Sequence, residues 1–228
     1  VFITGITKFT QISLFSMLNT LTNVSFDEQY SAICGLTHDE LVQYYSEEIS
    51  KLASRYDMEV SQVLSELKAT YDGYHFSRKL QNVYNPFSVL NALSRSQLNS
   101  YWIATGSNEI LNNLSKKYVD EIPSLDGCLI DADYLEMSDV NMEEPKLFLY
   151  QSGYLTIKAV RGDYYILGYP NKEVKKAMFE MVLPMMTNKS SSEVNTLIQK
   201  LKLNLCIGNV DEAMLCLKGL VAGTPYSI

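Results

Sequence analysis

Apolar residues recur at helical spacing along most of the chain, and strand-like runs are few and short. After Gly35, Thr37 and Glu40 form a capping box, and Leu41, Tyr45, Ile49, Leu52 and Tyr56 follow at intervals that predict a single helix. Val60, Val63, Leu64, Leu67 and Tyr71 predict a second helix, stopped by the turn Asp72-Gly73, and the two make an antiparallel pair. Pro86 stands where a helix begins, because its missing N–H costs nothing in a first turn; Asn85 is the cap, and Val89, Leu90 and Leu93 form the apolar face. Ser107 caps a further helix carrying Ile110, Leu111 and Leu114, which ends near Lys116 and Lys117.

The pattern changes near residue 143. Pro145 opens a short apolar helix closed by Ser152-Gly153, Tyr154 to Val160 alternates like a strand, Arg161-Gly162-Asp163 turns, and Tyr164 to Gly168 returns. Pro170-Asn171 then starts a helix with Val174, Ala177, Met178, Met181 and Val182 on one side. Helix, hairpin and helix in this order are similar to a winged-helix unit. Two more helices follow, one capped by Ser190 with Glu193, the other starting at Asn209 with Glu212 placed likewise and ending at Gly223-Thr224-Pro225. At the other end, Val1 to Thr4 reads as a short buried strand stopped by Gly5. The expected class is mostly α, with a small β part (α+β).

With 228 residues, the chain can bury about 70% of the surface its unfolded form exposes, so a core needs no disulfide or metal. The longest apolar run, Met178 to Met186, is broken by Glu180 and Pro184 and is too short for a membrane span. Four cysteines without a CxxC pair, and no secretory pattern in the first residues, give reduced thiols and a cytoplasmic expectation. Residues 1–144 hold 9 bases and 20 acids and residues 145–202 hold 9 and 4, so a net −11 precedes a net +5. The acidic part repels a phosphate backbone. The composition favours the basic stretch facing the acidic one within one molecule.

Candidate chemistry is sparse. GxxxxGK[ST], which wraps phosphates in backbone N–H groups, is not in these residues, and neither is GxSxG. Glu173-Val174-Lys175 matches the ExK triplet of metal-dependent nucleases, with Asp163 upstream; in a helical pattern its members diverge, and surface charge is the favoured reading. His75 with Asp72 in Tyr71-Asp72-Gly73-Tyr74-His75-Phe76 has the makings of a general base and its orienting partner, against a packed aromatic turn as the simpler account. The helix Lys146 to Gln151 is too apolar to read a DNA groove, although Arg161, Lys172, Lys175 and Lys176 suit phosphate contacts.

Phe2-Ile3-Thr4-Gly5 leads into Ser13-Leu14-Phe15-Ser16. Tyr71-Asp72-Gly73-Tyr74, Tyr84-Asn85-Pro86-Phe87-Ser88, Tyr101-Trp102 with Thr105-Gly106, and Leu149-Tyr150-Gln151-Ser152-Gly153-Tyr154-Leu155 follow in that order. In these strings, spread over nearly the whole chain, the sequence resembles the bacterial AAA-ATPase-like family, whose members usually continue into a PD-(D/E)XK nuclease-like domain. The resemblance implies a middle part of such a protein. Residues 1–142 would be the end of the ATPase core and its helical lid, 143–188 a winged-helix-like unit, and 189–228 a helical connector. The phosphate-binding P-loop half would precede Val1 and the nuclease-like domain would follow Ile228.

For individual residues the resemblance implies that Thr4, at the strand end before Gly5, is a sensor of the γ-phosphate; a hydroxyl satisfying a strand-end backbone group is the equal alternative. Asn85 and Pro86 resemble the lid region in which a proline packs on adenine. An insertion between Gly73 and Pro86 departs from that motif, and helix initiation accounts for Pro86 without a ligand. ATP and magnesium are expected of the full-length protein, with none bound tightly by this chain alone. The expected function is a nucleotide-dependent switch acting on the nuclease-like domain. The alternative is a winged-helix module binding DNA or protein with no nucleotide role.

Overall fold

A computed structural model of the chain describes residues 22–102, 118–119, 121–137 and 144–222. The expected strand Val1 to Thr4, Gly5, the helix from Ser107 to Lys117 and the stop at Gly223-Thr224-Pro225 lie outside the described residues. The described part is mostly helical with one small antiparallel sheet, as the α+β reading expects. The chain divides into two units, residues 1–106 with 124–175, and residues 107–123 with 176–228.

The first unit begins, after a 3-10 turn at Glu28–Tyr30, with α1 (His38–Tyr44), α2 (Ser46–Tyr56), α3 (Val60–Tyr71) and α4 (Pro86–Arg95). The Thr37/Glu40 box starts α1, and a second box, Glu59 with Gln62, starts α3. The single helix expected from Leu41 to Tyr56 is two. Tyr45 leaves helical geometry at φ −124° and ψ 25°, because Ser46-Glu47-Glu48 is itself a helix-start sequence with acids at the positive end of the dipole. Asp57 and Ser96, both left-handed, stop α2 and α4. Leu41, Ile49, Leu52, Val63, Leu67, Val89, Ala92 and Leu93 meet in a core that Tyr71, Tyr84 and Tyr101 close.

The sheet follows in the same unit. β1 (Cys128–Asp131) leads into α5 (Ala132–Met137) and α6 (Pro145–Gln151), then β2 (Thr156–Arg161) and β3 (Tyr164–Gly168), in the spatial order β1-β3-β2. The hairpin expected around Arg161-Gly162-Asp163 is present, with Gly162 at φ 57° and Arg161 opposite Tyr164. A register shift between Ile157 and Ala159 puts a bulge at Lys158. β1, absent from the sequence expectations, pairs Ile130 with Tyr165, so the sheet draws on residues before position 143. Ile130, Tyr165, Leu167 and Ile157 are buried on one face, whereas Leu129 and Tyr164 are exposed.

α7 (Lys172–Thr187) starts in the first unit, where the Asn171 side chain caps it by accepting from Val174 N at 3.1 Å. In the second unit, α8 (Ser191–Cys206) carries the Ser190/Glu193 box, and α9 (Val210–Val221) is capped by Asn209. The two pack as a hairpin through Ala213, Cys216 and Leu220. Among the described residues no helix is long and apolar enough to cross a membrane.

Leu67 is fully buried in the helical core. Leu67→Ala is expected to lower stability by about 2–5 kcal/mol in urea melts. A change below 1 kcal/mol would mean the core is not built around α3.

Candidate functional site

The strings that carry the family resemblance and lie among the described residues meet at the join of the helical core and the sheet. Tyr71 ends α3, and Asp72 follows it in extended geometry, with its N–H bonded to Lys68 O. Gly73 then takes φ 94°, and a Cβ there would lie 2.3 Å from Pro170 O, so both the backbone angle and the close approach require glycine. Tyr74 and Val83 exchange backbone hydrogen bonds at 3.3 and 3.1 Å, and Tyr84 does the same with Leu36. Asn85 N donates to Tyr71 O at 2.9 Å and Asn85 Oδ1 accepts from Ser88 N at 3.1 Å, which fixes the start of α4 against the end of α3.

From this loop the chain reaches the sheet. His75 N donates to Thr156 Oγ1 at 2.8 Å, and the Thr156 hydroxyl donates back to His75 O at 3.2 Å. The His75 ring is buried, with Nδ1 2.6 Å from Ile157 O and Nε2 2.8 Å from Asn82 Oδ1. Nδ1 must donate to the Ile157 carbonyl. A ring engaged at both nitrogens is not free to act as a base with Asp72 as its orienting partner; the structure matches the packed-turn account, with Tyr74 stacked on Phe76 at 6.4 Å. Arg78 continues the attachment. It lies over the Tyr165 ring at 5.3 Å and reaches Glu136 at 3.7 Å, while the Tyr165 hydroxyl donates to the same Glu136 carboxylate.

The second attachment is Glu173. The surface-charge reading of the Glu173-Val174-Lys175 triplet fails at Glu173, which is only 2% exposed. Its Oε1 accepts from the backbone N–H of Tyr101 and from that of Trp102, the latter at 2.8 Å. Its place in the first turn of α7 puts the carboxylate at the positive end of the helix dipole. Helical geometry does part the triplet as expected. Lys175 instead pairs with Asp126 at 2.7 Å, and among the described residues no group of three or more ligating side chains gathers for a metal.

The two backbone N–H groups anchor an aromatic ladder. Trp102 meets Tyr154 edge-on at 5.7 Å and Tyr74 at 6.2 Å, and Tyr101 meets Tyr71 at 6.4 Å. Gly153, at φ 80°, leaves room for the Trp102 ring, which a Cβ would approach to 3.1 Å. Asn171 ties in the last strand by donating to Asp72 O at 3.0 Å, and Lys158 Nζ donates to Pro170 O at 2.8 Å.

Electrostatically the join is dry. Burial raises the Asp72 carboxyl above its usual value, outweighing the Gly73 N–H and the nearby Lys68, His75 and His38 charges. Burial also raises the Tyr74 hydroxyl, and it pushes Tyr165 up to about 12, aided by Glu136. Asp72 Oδ1 and Glu173 Oε2 have no hydrogen-bond partner among the described residues. Of the residues the resemblance singled out, Asn85 and Pro86 are half-buried at the start of α4, beside Phe87 at 47% exposure; Thr4 and Gly5 lie outside the described residues. Asp72, Glu173 and Thr156 were not marked by any spacing signal as a group.

No family model matches the chain, and no solved structure matches it significantly. It is similar to a protein of Azotobacter chroococcum mcd 1 described as an uncharacterized protein in the vnfD 5' region, 31% identical over 185 residues that cover 79% of this chain. The chain spans about a third of that curated relative's length, 34%.

Two outcomes are expected. Glu173→Ala removes the carboxylate acceptor of the Tyr101 and Trp102 N–H groups and costs about 2–4 kcal/mol, whereas Glu173→Gln keeps an acceptor and costs less. Trp102 is the sole tryptophan, so its emission reports the change directly, red-shifted in the alanine variant. Asp72, with its folded pKa raised, stabilises the fold most below the usual carboxylate range, and that stability falls as pH rises through the folded value. Asp72→Asn therefore melts higher than wild type at pH 7 and gains less at pH 4, as followed by circular dichroism. The reverse order would show that the Lys68 and His38 charges outweigh burial.

Proposed function

We propose that this chain is the lid and winged-helix-like part of an AAA-ATPase-like switch protein. In it, nucleotide held by the rest of the protein sets the position of the helical core, and the sheet passes that position to an attached nuclease-like domain. The observation that carries the reading is the double attachment of core to sheet, by Glu173 on Tyr101 and Trp102 and by His75 on Thr156 and Ile157. Two elements so joined move together, which is what a lid must do to transmit closure. Of the strings that carry the resemblance, Tyr101-Trp102 takes part in that attachment directly, while Glu173, His75, Thr156 and Ile157 lie outside them.

The residues suit a base-contact role and no more. Phe87, exposed beside Pro86 at the first turn of α4, offers an apolar surface for an adenine ring, and no phosphate-binding glycine loop accompanies it in the sequence. Bound in the full-length protein, ATP with magnesium would supply the phosphate charge that distinguishes the two states of the switch.

The order β1-β3-β2, with two helices between β1 and β2 and a turn at Gly162, also favours the winged-helix reading. DNA binding through it has less support. α6 buries Pro145, Leu147, Phe148 and Leu149, and Lys172 and Lys175 are paired with Glu66 and Asp126.

In the intact protein, 8-azido-ATP is expected to label the Asn85–Phe87 segment, and Phe87→Ala to lower that labelling about tenfold, since base–aromatic stacking is worth about 1–3 kcal/mol. Calorimetry of this chain alone with Mg-ATP is expected to show no tight binding. Labelling confined to other segments, or nanomolar affinity of the isolated chain, would overturn the reading.

A further inference from the structure

α9 is apolar on two sides. Ala213, Cys216 and Leu220 are buried in the hairpin with α8, while Val210, Met214, Leu217 and Val221 are 61, 49, 41 and 51% exposed. The second set steps by four, three and four residues, the spacing of a seam that faces another helix. Beyond the turn, Ile207, 67% exposed, extends the same apolar character. Contiguous exposed apolar surface of this kind marks an interaction site.

We propose that this seam pairs with the same seam of a second copy of the chain, the two α9 helices running antiparallel. Charge selects that occupant and that direction. Asp211 and Lys218 are one heptad apart and lie on the same flank of the seam, both exposed and neither in an ion pair of the described residues. An antiparallel copy sets each Asp211 against the other chain's Lys218, twice per dimer, whereas a parallel copy turns both toward the partner's opposite flank, where the apolar Ala213 and Leu220 stand and offer neither a charge partner. Antiparallel helices also align their dipoles favourably. The heptad phase requires both sides of α9 to be occupied at once, α8 on one and the second copy on the other.

Sedimentation equilibrium of the whole chain over about a hundredfold concentration range is expected to show a monomer–dimer equilibrium, with a melting temperature that rises with concentration. Leu217→Glu, at an exposed position, abolishes the dimer and leaves the far-ultraviolet spectrum unchanged. Asp211→Lys and Lys218→Asp each weaken the dimer by about tenfold, and the double exchange restores it. Asp211 and Lys218 also suit the dipole of their own helix; if that were their whole role, the double exchange would be the least stable variant, and the proposal would fall. A chain that stays monomeric throughout the range would overturn it too, leaving the seam to a helix of another protein.

Discussion

A carboxylate buried at the start of a helix, gripping two backbone N–H groups 72 and 71 residues away in sequence, is the contact on which the first unit turns. Burying an ion costs several kcal/mol, and the cost is offset only if the ion is well bonded. Glu173 meets that condition at one oxygen: Oε1 accepts from Tyr101 and Trp102 and the carboxylate sits at the positive end of its own helix dipole, while Oε2 has no hydrogen-bond partner among the described residues. The acceptor holds the backbone of residues 101 and 102 in place, and with it the Trp102 ring against Tyr154 and Tyr74. The ladder of rings, the Gly153 turn beneath it and the Asp72-Gly73 bend beside it all depend on that segment staying in place.

Most of the helices could be read from the chain because each carries its own start signal. Thr37, Asn85, Ser190 and Asn209 cap where their side chains and spacing say they should. The break at Tyr45 was hidden because the apolar stripe runs through it in phase, and only the competing start at Ser46 gives it away. β1 was hidden for another reason. Four residues, Cys-Leu-Ile-Asp, with a single buried position give no alternation to detect, and the strand exists because β3 offers an open edge. The candidate site was legible as separate strings, not as one place. Glu173 in particular sits between lysines, the context of a solvated face, and burial of such a residue is a tertiary fact that local pattern does not carry.

The charge asymmetry has an internal use. Lys172 with Glu66 and Lys175 with Asp126 join the basic stretch to the acidic one inside the first unit. Exposed pairs of this kind add little stability each. Their effect is on surface potential, since a lysine already facing a carboxylate releases few counterions from a phosphate backbone. The apolar α6 is likewise packed inside the unit rather than displayed.

The bulge at Lys158 bears on the sheet's fate in a crowded cell. A three-stranded sheet in the order β1-β3-β2 has two outer strands, and an outer strand is a template for runaway strand addition unless its backbone groups are occupied, as the Ile157 carbonyl is by His75 and the Leu129 carbonyl by Lys146. β1 is only four residues long, and β2 is kinked at Lys158, which interrupts its ladder and sends the lysine ammonium to the Pro170 carbonyl. The irregularity that looks like an imperfect hairpin thus interrupts the regular ladder that fibril-like stacking needs.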